Sequence, residues 1–146
     1  MNRELVKPHT VISREVTEDD VEFVIEEYYA MKQIIDESKY CVALAHPQIE
    51  DKDPLRFYVL RNGEIIINPV IEVHSNYEVD SVEGCMTFKG REDTTKKRWR
   101  KTLISYVTIG DDNKLTERRK ENLTGLSAYI AQHEIDHLNG KYCYDK

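Results

Sequence analysis

Residues 133–137 read His-Glu-Ile-Asp-His, an H-E-x-x-H segment that narrows the possible folds more than any other feature of the chain. On a helix, residues four apart project from one face about one turn above each other, so His133 and His137 can clasp a single ion. Leu126 and Ile130 extend the same stripe, which is expected to place the imidazoles at the end of a buried apolar face. Glu134 falls on the flank of that stripe, where its carboxylate can reach a water on the ion without ligating the ion itself. It is the expected acid/base. The spacing predicts a helix from about Leu123 to Leu138, stopped by Asn139-Gly140.

Two imidazoles leave a catalytic site one protein ligand short, and the candidates are the thiols of Cys85 and Cys143. Cys143, with Gly140 before it, stands where an H-E-x-x-H-x-x-G-x-x-H metallopeptidase places its last histidine. That class also needs a further segment with a Met turn beneath the metal, and only Tyr144, Asp145 and Lys146 follow here. A downstream Glu as third ligand meets the same shortage of chain. The ligand is therefore expected upstream, at Cys85 in Glu83-Gly84-Cys85-Met86, where a glycine lets the backbone turn sharply toward the helix. Cys143 is then a packed thiol.

The rest of the chain has to build a core around that helix. Of its 146 residues, 40% are hydrophobic and 33% charged, and no linker, repeat or low-complexity tract divides them, so residues 1–146 are expected to form one domain. Thr17, followed by Asp20, can cap a helix from about Glu18 to Glu37, along which Val21, Val24, Ile25, Tyr28, Met31 and Ile35 keep the 3.6-residue period. After it come β-rich runs at Phe57 to Leu60, Ile65 to Ile67, Val70 to Val73 and Leu103 to Ile109, with a hairpin turn at Asn62-Gly63. The expected fold is α+β: antiparallel sheets packed around a central C-terminal helix that carries the H-E-x-x-H segment, with an N-terminal helix.

A net charge of -6 argues against a general nucleic-acid binder, because neutralising phosphates takes a surplus of Lys and Arg. Peptides or small molecules are the expected partners. No apolar run approaches a membrane span, the N-terminus lacks the hydrophobic stretch of a signal peptide, and three cysteines cannot all pair, so a reducing cytoplasm is the expected setting. The basic run Lys96, Lys97, Arg98, Arg100 and Lys101, with Trp99 inside it, reads as a solvated strand face, with ribosomal RNA near the exit of new chains as the other possible contact. His9 and His74 lie outside every motif and read as surface histidines.

Three segments together resemble the peptide deformylase family. Glu83-Gly84-Cys85-Met86-Thr87 looks like its E-G-C-L-S motif, Gln132 to Gly140 matches Q-H-E-I-D-H-L-N-G throughout, and Cys41 to Ile49 resembles G-x-G-L-A-A-P-Q-I, in the family's order and spacing. Ile67-Asn68-Pro69 resembles a stretch between the first two motifs, so the likeness runs from about Cys41 onward. It implies removal of the formyl group from the N-terminal formylmethionine of new polypeptides, with release of formate. It also implies a ferrous ion on Cys85, His133 and His137, with nickel, cobalt or zinc as substitutes, whereas the ligand types alone favour zinc.

By the same resemblance, Gln48 and the backbone N–H of Met86 stabilise the oxyanion beside the metal. The methionine side chain enters a pocket of Val42, Tyr129, Ile130 and the His133 ring, while Ala43, Glu83 and Gly84 flank the peptide, Ala43 pairing with it as an added strand. Arg98 is the arginine expected to hold Glu83. The first motif departs from the family: Cys41 and Ala43 replace glycines and His46 replaces an alanine, which adds bulk near the substrate strand. Cys41 reads as a core residue and His46 as a structural or exposed histidine, with a place beside Gln48 as the other reading. Two rival readings remain beside the deformylase: an H-E-x-x-H metallopeptidase, and a catalytically weakened peptide-binding module of the same fold.

Overall fold

The computed structural model describes residues 3–145. Its first helix, α1, spans Val21–Glu37 and follows a single 3-10 turn at Glu18–Asp20. The cap works mainly from the acidic side: Asp20 Oδ2 accepts the Thr17 backbone N–H at 2.8 Å and the Thr17 hydroxyl at 3.2 Å. Val21, Val24, Met31 and Ile35 form the buried stripe that the spacing predicts. Glu27 lies in that stripe too, and is buried.

Five strands form one antiparallel sheet in the order β1-β2-β3-β6-β7, with β1 at Ala43–Ala45, β2 at Phe57–Leu60, β3 at Ile65–His74, β6 at Lys101–Val107 and β7 at Arg119–Thr124. Gly63, at φ 95°, makes the turn between β2 and β3. The two runs expected at Ile65 to Ile67 and Val70 to Val73 are one strand with a register shift between Ile67 and Val70. Pro69 cannot donate to the ladder, and Asn68 adopts φ 51° while its side chain bonds both Val16 N and Val16 O at 2.9 Å.

The central strands are buried on both faces, which is why they read as unbroken apolar runs. Phe57, Val59 and Ile67 pack with Val24, Met31 and Ile35 of α1, whereas Tyr58, Ile66 and Ile104 pack with Ile135 and Leu138 of the last helix. Each such side chain contributes about 1.5–3 kcal/mol by leaving water. A second, two-stranded sheet pairs β4, Glu78–Glu83, with β5, Thr94–Trp99.

The last helix, α2, spans Leu126–Leu138 and starts later than its periodicity predicts. Leu123 and Thr124 belong to β7, paired with Thr102 and Lys101, and Gly125 at φ 65° makes the sharp change from strand to helix. At the other end Gly140, at φ 74°, lies so near the N-terminal segment that a Cβ there would meet Thr10 O at 2.6 Å. Ser13 completes this junction by giving both its N–H and its hydroxyl to Leu138 O. Among the described residues no helix is long and apolar enough to cross a membrane.

Candidate metal centre

Helix α2 packs on the sheet through Ala128, Ala131, Ile135 and Leu138, all buried. The stripe Leu126, Ile130, His133 therefore does not run along a buried face as the spacing suggested. Leu126 is 70% exposed, and all three line the wall of an open cleft of about 440 Å³. The fourth member of the expected stripe, His137, is buried.

Cys85 reaches them from the end of β4. Gly84 makes this possible because Asp93 presses against it, where a Cβ would meet Asp93 Oδ1 at 2.4 Å. Cys85 Sγ lies 3.5 Å from His137 Nε2, and the ligand atoms of Cys85, His133 and His137 all lie within 4.8 Å of one another. A tetrahedral ion with sulfur at about 2.3 Å and nitrogen at about 2.0–2.1 Å sets sulfur and nitrogen about 3.6 Å apart. The three donors fit such an ion.

Both rings are turned to offer Nε2, because His137 Nδ1 donates to Lys141 O at 3.0 Å and His133 Nδ1 donates to Glu83 Oε1 at 2.8 Å. Glu83 is held in turn by Arg98, at 2.9 and 2.7 Å, and Arg98 also reaches Asp136. Burial pushes the Glu83 carboxyl up, but the bonds from Arg98 and His133 outweigh it and hold the group down at about 2. Burial likewise drives His137 down to about 3, whereas Cys85 and Glu83 overcome it at His133 and hold that ring up at about 10.

Glu134 is buried, and its Oε1 has no hydrogen-bond partner among the described residues. Burial pushes its carboxyl up to about 7. An unpartnered buried acceptor is costly, and one beside a candidate cation site is suited to take a proton there. Gln48 is buried as well: its Oε1 accepts the Ala45 N–H at 2.9 Å, which aims Nε2 at Thr87 Oγ1, 3.1 Å away, and Cys85 Sγ, 3.4 Å away.

The other residues singled out in the sequence, Val42, Ala43, Gly84, Met86, Tyr129 and Ile130, all line the cleft. Glu83 lines it too, but its carboxylate faces Arg98 and His133. Arg98 is therefore not part of a solvated strand face; it is buried, while Lys97 pairs with Asp80 on the surface. Tyr40, Ser81 and Val82 line the cleft without having been expected to, since no motif marks them.

Cys143 is buried, with its thiol pushed up to about 12 by burial, the packed thiol that was expected. It also lies within 4.8 Å of donor atoms of Glu83 and His133, but Arg98 already neutralises that carboxylate. Cys41 is buried, pushed up to about 11 by burial, and donates to Ala43 O. His46 is a fully buried structural histidine: Nδ1 accepts the Leu55 N–H at 2.9 Å and Nε2 donates to Glu27 Oε1 at 3.0 Å. His74 is exposed and stacks on Trp99. His9 is not free on the surface. It is half-buried and donates from Nε2 to Pro47 O at 2.7 Å, tying the N-terminal segment to the first motif.

An α+β scaffold with an H-E-x-x-H helix between two antiparallel sheets and a cysteine from a neighbouring strand end defines a class, that of small proteins with one candidate cysteine and bis-imidazole metal centre. The family model described as polypeptide deformylase matches residues 5–146, and the chain belongs to that family. A peptide deformylase of Streptococcus mutans is 32% identical over 117 residues, 77% of this chain and 54% of its own, so this chain spans about half the length of that relative. The crystal structure of peptide deformylase from Thermotoga maritima is 26% identical with a TM-score of 0.81, covering 97% of this chain and 95% of its own. The deformylase of the Vibrio parahaemolyticus bacteriophage VP16T, solved in complex with actinonin, is 28% identical with a TM-score of 0.75 over 97% of both chains.

Proposed function

We propose that this chain is a metal-dependent hydrolase that removes the formyl group from N-formylmethionyl peptides and releases formate. The observation that carries the reading is the meeting of Cys85, His133 and His137 beside the unpartnered buried oxygen of Glu134, with Cys85, His133 and Glu134 lining an open cleft. Cys85, His133 and His137 would hold one divalent ion, ferrous iron natively with nickel, cobalt or zinc as substitutes, and that ion would supply Lewis acidity and lower the pKa of the attacking water. Glu134 takes the proton of that water and returns it to the departing amine. Gln48 Nε2 and the backbone N–H of Met86 meet the oxygen on which negative charge develops.

Val42, Tyr129 and Ile130 receive the methionine side chain, and backbone at Ala43 and Gly84 borders the extended peptide. Selectivity then rests mainly on the first side chain, since that side chain is the one the pocket receives. Three free thiols among the described residues support work in a reducing cytoplasm. Formate release from formyl-Met-Ala-Ser by the anaerobically prepared, nickel- or iron-loaded protein tests the reading. Cleavage of an internal peptide bond without formate would select a metallopeptidase instead.

A further inference from the structure

Two side chains at the mouth of the cleft take no part in the metal chemistry. Tyr40 is 82% and Val82 73% exposed, the two highest values among the large hydrophobic residues described, and both line the cleft that holds Cys85, His133 and Glu134. Single exposed apolar residues are ordinary on any protein. Two that line one cleft, Tyr40 from the bend before β1 and Val82 from β4, point to an occupant.

Val82 is unusual for a second reason. Along β4 the polar residues Ser81 and Glu83 are buried while the valine between them faces outward, the reverse of the usual strand pattern. The bonds from Arg98 and His133 account for Glu83 inside. They do not account for valine outside.

An extended peptide running between β1 and β4 turns successive side chains to opposite faces. With its first side chain directed inward, toward Tyr129 and Ile130, its second points outward, on the side of Val82. We infer that Val82 and Tyr40 clamp the second residue of the peptide, so that the cleft selects a large apolar residue such as Leu or Phe directly after methionine. This inference rests on the reading of the cleft as a formyl-peptide site. A contact of a few methylene groups is worth about tenfold in discrimination.

The test compares kcat/KM for formate release from formyl-Met-Leu-Ser, formyl-Met-Phe-Ser, formyl-Met-Ser-Ser and formyl-Met-Asp-Ser, using nickel-loaded protein. Binding of the product peptides Met-Leu-Ser and Met-Ser-Ser is measured beside it. The Leu and Phe peptides are expected to lead by about tenfold, chiefly through KM, and a Val82→Ser, Tyr40→Ser double variant to bring the ratio to about one. Both sites are exposed, so the variant keeps its fold. Equal rates in the parent protein, or a preference that survives in the double variant, would overturn the clamp. If no formyl peptide releases formate, the deformylase reading fails by itself. The product peptides then decide the clamp: a Leu-over-Ser affinity ratio lost in the double variant supports it, and equal affinities reject it.

Discussion

Two histidines, His133 largely buried and His46 fully so, are each paired with a buried glutamate that an arginine also contacts. In one, His133 donates to Glu83 at 2.8 Å and Arg98 holds Glu83 at 2.7 Å; in the other, His46 donates to Glu27 at 3.0 Å and Arg3 lies 3.1 Å from Glu27. They differ at the second ring nitrogen. That of His46 is filled by the backbone N–H of Leu55, whereas that of His133 is turned toward Cys85 and the cleft. What separates the candidate ligand from the structural histidine is therefore the neighbour of its second ring nitrogen, a backbone N–H at His46 and a thiol at His133, since both rings are oriented by the same kind of carboxylate.

Variants can break or sharpen that contrast. The largest effect is expected beside the first histidine: Glu134→Gln should lower kcat by about 10²–10⁴-fold while the bound metal stays at one equivalent by elemental analysis, because proton transfer and ligation fall on different residues. Next, Arg98→Ala leaves the Glu83 carboxylate buried and uncompensated, a loss of about 3–5 kcal/mol in urea unfolding, with metal affinity falling about 10–100-fold as His133 loses its support. A smaller change is expected at the second histidine. His46→Ala strands the Leu55 N–H and the Glu27 carboxylate, costs about 1–3 kcal/mol, and leaves the metal content unchanged. The smallest belongs to Arg3→Ala, about 1 kcal/mol, because Arg3 is partly solvent-exposed and His46 still donates to the buried Glu27 carboxylate. Loss of metal in the His46 variant would dissolve the distinction.

This contrast also marks what the sequence could reveal. The paired imidazoles of α2 were legible because their spacing is local: four residues on one helix fix their relation without regard to the rest of the fold. Cys85 was legible only through the chain around it, by exclusion of Cys143 and by resemblance. The partners of His46 and His9 were not legible, since Glu27, Leu55 and Pro47 reach them through the packing of α1 and the N-terminal segment. Strands followed the same division. Phe57 to Leu60 announced β2 by composition, while Thr-Thr-Lys-Lys-Arg-Trp in β5 and Arg-Lys-Glu-Asn-Leu-Thr in β7 are strands because of what they pair with. The start of α2 was misplaced into β7 for this reason.

The most direct test is X-ray absorption at the metal edge of the protein loaded with nickel or cobalt. One sulfur and two imidazole nitrogens in the first shell, with the sulfur lost in Cys85→Ser, is the result expected. A shell without sulfur, or one unchanged in Cys85→Ser, would contradict the assignment of the centre.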